Sequence, residues 1–149
     1  MAFSFIHTAD WQLGAQFGAL PSDVAARLQA ARLDAIDRIA SVATEHGAVD
    51  ILVAGDVFDS VRPPQRLIGQ TLARLAKYRT LVWHLLPGNH DPAQPGSVWE
   101  DLARALPGPH VRLHTRAEPY ELATGVVLIP APLTAKAMSH DPTAFMDQI

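Results

Sequence analysis

Cysteine is absent from this sequence of 149 residues, which excludes disulfides, thiolate zinc sites and a cysteine nucleophile. Positive charge is not in excess either. Twelve Lys and Arg stand against 15 Asp and Glu, for a formal net charge of −3. A protein that holds duplex DNA unaided usually carries a basic face, because neutralising phosphates supplies most of the non-specific affinity. Any nucleic-acid partner must therefore be held by local patches or by other parts of the protein. No run reaches the ~18 apolar residues of a membrane helix. The first residues, Met1-Ala-Phe-Ser-Phe-Ile-His7, lack the charged start and long apolar stretch of a secretory signal. No membrane partner is expected, and the reading is a cytoplasmic protein. Internal repeats, low-complexity tracts and linkers are also missing. What is present is 48% apolar residues, enough for the core of one domain.

Apolar runs alternate with amphipathic stretches. Residues 3–8 are short, apolar and bounded by polar neighbours, as in a buried strand. After a loop from Leu13-Gly14 to Pro21, Ser22 is placed to cap a helix from 23 to about 46, with Asp23 in its first turn and Gly47 past its end. Its apolar stripe reads Val24, Leu28, Ala31, Ala35, Ile39 and Val42. Arg27, Asp34, Arg38, Ser41 and Glu45 share the opposite face, with Asp34 and Arg38 spaced to pair. Residues 50–54 form a second buried strand. A helix over 65–78 follows, with Leu67, Ile68, Leu72 and Leu75 inward, and then a third strand over 81–86. Strands with continuous apolar runs, joined through helices, imply βαβ units and a parallel sheet. Beyond Asp91 the expectations are a short helix over 97–106 and strands over 111–113, 120–122 and 125–130. A last helix should open at Asp141-Pro142 and is left unfinished at Ile149.

Polar clusters follow the three strands: Asp10, then Asp56 and Asp59, then Asn89-His90-Asp91. The carboxyl ends of parallel strands share one edge, and ligands bind at that edge. Asp10, Asp56 and Asn89 should therefore meet. Carboxylates brought together without basic neighbours repel and raise one another's pKa, a conflict that a divalent cation resolves. Oxygen ligands with a nearby histidine suit Mn²⁺, Mg²⁺ or Fe²⁺ better than a structural zinc. Taken alone, Gly-Asp after a strand, or Asn-His in a loop, is commonly turn chemistry. Their common position at three strand ends is the informative feature.

Residues Phe5-Ile-His-Thr-Ala-Asp10 through Leu13-Gly14, Gly55-Asp-Val-Phe-Asp59 and Pro87-Gly-Asn-His-Asp91 resemble the calcineurin-like metallophosphoesterases, and among them the SbcD-type DNA-repair exonucleases. The resemblance covers roughly residues 3 to 134. The protein phosphatases of the same superfamily would place Arg after the second Asp of the middle motif and Asn-His-Glu in the third; here Ser60 and Asn89-His90-Asp91 stand. The resemblance implies an α/β fold, the N-terminal half of a two-sheet sandwich with outer helices around a βαβαβ core. It also implies two divalent metal ions, Mn²⁺ first, which activate a water and clamp the attacking and leaving oxygens. Asp10 would bind the first metal, Asp56 would bridge, and Asn89 would bind the second. His90 would stabilise the transition state or donate a proton, with Asp59 orienting it. The implied activity is phosphodiester hydrolysis of DNA in repair, with an SbcC-type ATPase as partner and a homodimer as a further assembly. A phosphatase acting on small or protein-borne phosphates is the alternative enzyme.

Two departures stand out. The family carries His two residues after the first Asp, where this chain has Gln12, an amide in the place of the first-metal imidazole. A decayed site kept as a scaffold is the reading that Gln12 would favour. The family also needs a later His and then a His-x-His pair, and no such pair occurs; His110, His114 and His140 stand in other contexts. Residues 1–149 are thus expected to be the N-terminal portion of a longer phosphoesterase domain. His7 and His84, inside apolar strands, read as core or near-site packing, and His46 as a helix-end cation. Trp11 and Trp99 read as core or rim rather than base-stacking platforms. Arg62 and Arg66 are the candidates for a DNA backbone, against the plainer reading of a solvated loop and helix face.

Overall fold

The computed structural model describes residues 3–148. Four strands, β1 (Phe5–Thr8), β2 (Asp50–Ala54), β3 (Val82–Leu86) and β4 (Val111–Leu113), form one parallel sheet in the order β1-β2-β3-β4. Helices α1 (Ser22–Glu45), α2 (Gln65–Leu75) and α3 (Val98–Arg104) are the crossovers. Sequential strand order with crossovers of one hand keeps every helix on the same side of the sheet. Accordingly, Ile51, Val53, Trp83, Leu85 and Val111 of the sheet share one core with Ile36, Ala40 and Ala43 of α1, Ile68, Leu72 and Leu75 of α2, and Val98, Trp99 and Leu102 of α3. Trp83 is fully buried and meets the ring of Trp11 edge-on, with centroids 6.0 Å apart. Both tryptophans named from the sequence are thus core residues, Trp11 and Trp99 being 7% and 3% exposed.

Beyond this sheet lies a second, smaller one. Strands β5 (Tyr120–Ala123) and β6 (Val126–Leu128) form an antiparallel hairpin with a register shift between Glu121 and Ala123. No helix of the described residues is long and apolar enough to cross a membrane.

Several local expectations are corrected. Pro21, with φ −52° and ψ 144°, takes the N-cap place of α1, and Ser22 is the first helical residue with no side-chain cap. The stripe of Val24, Leu28, Ala31, Ala35, Ile39 and Val42 is out of phase: Leu28 and Val42 are exposed, and Ile36, Ala40 and Ala43 are buried. Alanines surround this helix, so the apolar pattern does not fix its rotation. Tertiary polar contacts do, notably Asp34 and Asp37 to Arg74 of α2 and Arg32 to the Trp11 carbonyl. Asp34 therefore pairs with Arg74 rather than with Arg38. Helix α2 ends at Leu75, short of Tyr78, whose hydroxyl donates to Asp37 at 2.6 Å. The strand expected over 125–130 is only Val126–Leu128. No α-helix opens at Asp141: its carboxylate accepts from the Thr143 amide at 2.8 Å, and a 3-10 turn, Ala144–Gln148, follows.

Candidate metal centre

The first three strands end on the residues that the sequence singles out. Asp10, Gly55, Asp56, Gly88 and Asn89 line one pocket of about 230 Å³ at the carboxyl edge of the sheet, with Leu133 and Ala131 on its far wall. The loops that build it are strained. Asp10, Gln12 and Asp56 all have left-handed backbones, with φ of 54°, 42° and 53°. For a side-chain-bearing residue that conformation costs roughly 1–2 kcal/mol and persists only where its surroundings impose it. Here a backbone ladder does so. The amides of Asp10, Gln12 and Leu13 donate to the carbonyls of Gly55, Asp56 and Val57 at 3.1, 2.8 and 3.0 Å, and Asp59 donates back to Leu13 at 3.0 Å. The β1 and β2 loops thus extend their pairing past the strand ends, and Leu13 and Phe58 bridge in parallel.

Asp56, 6% exposed, is the buried carboxylate of the pocket. Its Oδ1 accepts the His90 amide at 2.9 Å. Gly88 lies so close that a Cβ there would stand 2.0 Å from Asp56 Oδ1, which only glycine permits. Asp10 and Asn89 are exposed, and among the described residues their side chains have no hydrogen-bond partner. At the rim, His90 Nδ1 lies 3.2 Å from Asp59 Oδ1, both side chains about one-third exposed. Gln12 does not line the pocket; its contact with Asp56 runs through its backbone amide. Arg62 is exposed and spends its Nε on the Gly96 carbonyl at 2.9 Å. Arg66 lines a separate groove of about 540 Å³ between α1 and α2, with Gln16, Gln29, Gln70 and Arg74.

The donor set is two carboxylates and one amide oxygen. Among the described residues no three His, Cys, Asp or Glu side chains come together as a metal cage. The set fits part of the shell of a hard divalent cation, which takes about six oxygens. It does not fit a closed structural zinc site, which requires four Cys or His ligands.

Two features escaped the sequence reading. Asp91 is fully buried. Its Oδ1 accepts from Gly88 at 2.8 Å and its Oδ2 from Phe58 at 3.0 Å. Burial pushes its carboxyl up to about 6; the amide bonds from Phe58 and Gly88 oppose this, and the charge of Asp56 adds to it. The adjacency of Asp91 to Asn89-His90 was the available signal. On the other face of the sheet, His84 Nε2 lies 3.0 Å from Asp50 Oδ1, and His84 Nδ1 lies 2.9 Å from His114 Nε2. Tyr120 of β5 packs edge-on against both rings. Burial lowers the pKa of His84, an effect that Asp50 partly offsets and Arg112 reinforces. Burial also lowers that of His114, to about 4, with help from the charges of His84 and Arg112. Both rings are therefore neutral near pH 7. His84 donates from Nε2 to Asp50 and accepts at Nδ1 from His114. Nothing in the sequence paired these residues. His7, expected to pack in the core or near the site, is exposed and so not a core residue.

Two comparisons bear on this geometry. The model of the family described as calcineurin-like phosphoesterase matches residues 3–133. The chain is also similar to the SbcD subunit of the nuclease SbcCD from Rhodobacter capsulatus, 34% identical over 119 residues, covering 71% of this chain and 25% of that protein. The chain thus spans about a quarter of the length of that relative.

Proposed function

Because the chain belongs to the calcineurin-like phosphoesterase family, we propose that it carries part of the metal site of a DNA nuclease that hydrolyses phosphodiester bonds in repair. The observation that supports this reading is the convergence of Asp10, Asp56 and Asn89 on one pocket beside the His90–Asp59 pair. These three residues would hold the cations, with Asp56 shared between two. Their oxygens suit Mn²⁺, Mg²⁺ or Fe²⁺, and it is the family resemblance that puts Mn²⁺ first. Such ions, when bound, supply Lewis acidity toward phosphoryl oxygens and acidify a water.

The rest is the work of the chain's own groups. The His90 amide occupies one oxygen of Asp56, and the other accepts no hydrogen bond among the described residues. Asp59 Oδ1 lies 3.2 Å from His90 Nδ1, and a carboxylate there favours the proton on Nδ1 and would leave Nε2 to meet a phosphate oxygen. As imidazolium, Nε2 donates a hydrogen bond there and can pass its proton to the leaving oxygen. The strained, ladder-held backbone at Asp10 and Asp56 fixes the positions from which both carboxylates project.

The acidic balance of the chain calls for help in holding DNA. Arg66 in its groove and Arg62, bonded to the Gly96 carbonyl, are the local contributions. An SbcC-type ATPase, and a second copy of the chain, are the partners in this reading. The similarity to one component of a nuclease favours DNA over small phosphate esters. The test presents duplex DNA, single-stranded DNA and p-nitrophenyl phosphate to the protein with Mn²⁺, with and without an SbcC-type ATPase. Cleavage of DNA that the partner accelerates and Asp56→Ala abolishes is the expected result. Turnover of the small ester alone would replace the nuclease with a phosphatase. No turnover in any arm, together with no Mn²⁺ binding, would leave a scaffold.

A further inference from the structure

Asp91 sits next to the site yet turns away from it, with no exposed surface. Its two carboxylate oxygens go to two different loops: Oδ1 takes the amide of Gly88, which precedes Asn89, and Oδ2 takes that of Phe58, between Asp56 and Asp59. One short side chain thus spans segments 33 residues apart in sequence. Its base is also fixed, because the indole N–H of buried Trp99 donates to the Asp91 carbonyl. A buried carboxylate is costly unless both oxygens are hydrogen-bonded. Two amide donors face it, so an Asn here would accept from one and turn its NH₂ against the other. A Glu would push an extra methylene into a fully packed site.

We infer that Asp91 is the positioning residue that sets Asp56 against Asn89, by tying the backbone of residues 55–59 to that of 87–90. The inference rests on the reading of Asp10, Asp56 and Asn89 as cation ligands. The bond from the His90 amide to Asp56 Oδ1 crosses between the same two loops and does not involve Asp91, so it reports their relative placement.

The test uses the 149-residue chain with Asp91→Asn, Trp99→Phe as the milder variant, and Val98→Ala as a destabilised control from the same buried region. Two quantities are read: Mn²⁺ affinity by calorimetry, and hydrogen exchange of the His90 amide by NMR. Asp91→Asn should weaken Mn²⁺ binding by about 10–100-fold, as changes behind metal ligands do, and speed His90 exchange relative to Val98→Ala. Should Asp91→Asn fail to fold, Trp99→Phe carries the test, with His90 exchange faster by about 3–10-fold, the loss of roughly one hydrogen bond. Wild-type affinity and exchange in Asp91→Asn, or no effect in Trp99→Phe where that variant carries the test, would overturn the inference. If the wild-type chain binds no Mn²⁺, the cation reading fails, and the positioning role is then decided by His90 exchange alone.

Discussion

His90 Nδ1 stands 3.2 Å from Asp59 Oδ1, a separation at which the carboxylate favours a proton on Nδ1 over one on Nε2. Neutral His90 is expected as the Nδ1–H tautomer, with its Nε2 lone pair free. Nitrogen chemical shifts of the imidazole check this directly. Asp59→Ala should move the population toward the Nε2–H tautomer, which predominates in an imidazole with no partner. An unchanged tautomer would mean that Asp59 does not orient the ring.

Gly88→Ala should destabilise the fold and damage the site together. The new methyl would stand 2.0 Å from Asp56 Oδ1 and 2.3 Å from the Asp56 amide, leaving the backbone no room to yield cheaply. A loss of about 1–3 kcal/mol is expected in urea unfolding. Gly69→Ala is the control, an open helical position where nothing lies within 4 Å of the added Cβ; it should be neutral or stabilising.

Acid should act on the His84–His114 pair. The folded pKa of His114 is about 4 against 6.5 in the free group, so the unfolded chain takes up the proton first. Stability is therefore full above pH 6.5 and is lost as pH falls through 4, by on the order of 3 kcal/mol at the limit. Asp91 acts with the opposite sign. Its folded pKa of about 6 lies above 3.8, so its contribution is full below pH 3.8 and lost as pH rises through 6. The two partly cancel in the wild type, and only a difference isolates the histidine. The stability advantage of wild type over His114→Gln should shrink between pH 7 and pH 4.5 in urea titrations. A constant difference would contradict the assignment.

The 149-residue chain alone should be catalytically poor or dead, because its pocket offers Asp10, Asp56 and Asn89 and no third His, Cys, Asp or Glu joins them among the described residues. Rapid Mn²⁺-dependent cleavage by this chain alone would show that its own ligands suffice.

The parallel sheet and the meeting of three strand ends were legible because each depends on short signals: apolar runs at Ile51–Ala54 and, broken only by His84, at Leu81–Leu86, each followed closely by a polar cluster. The rotation of α1 was not, since its many alanines leave no distinctive stripe and Arg74, distant in sequence, sets the phase. Asp50, His84 and His114 were equally hidden. A buried polar pairing between strands has no periodicity, and His114 lies outside the β4 run of Val111–Leu113. Gln12 marks a limit of motif spacing. Its position in sequence suggested a ligand, and its side chain is not among those lining the pocket of Asp10, Asp56 and Asn89. Gln12→Ala should accordingly change Mn²⁺ affinity far less than Asp10→Ala does.

Calorimetric titration of Mn²⁺ into the wild-type chain and its Asp56→Ala variant tests the metal centre most directly. Asp56 is the buried carboxylate on which the pocket converges. Saturable binding to the wild type that disappears in a folded Asp56→Ala protein is the expected result. No binding to the wild type, or equal binding to both, would contradict it.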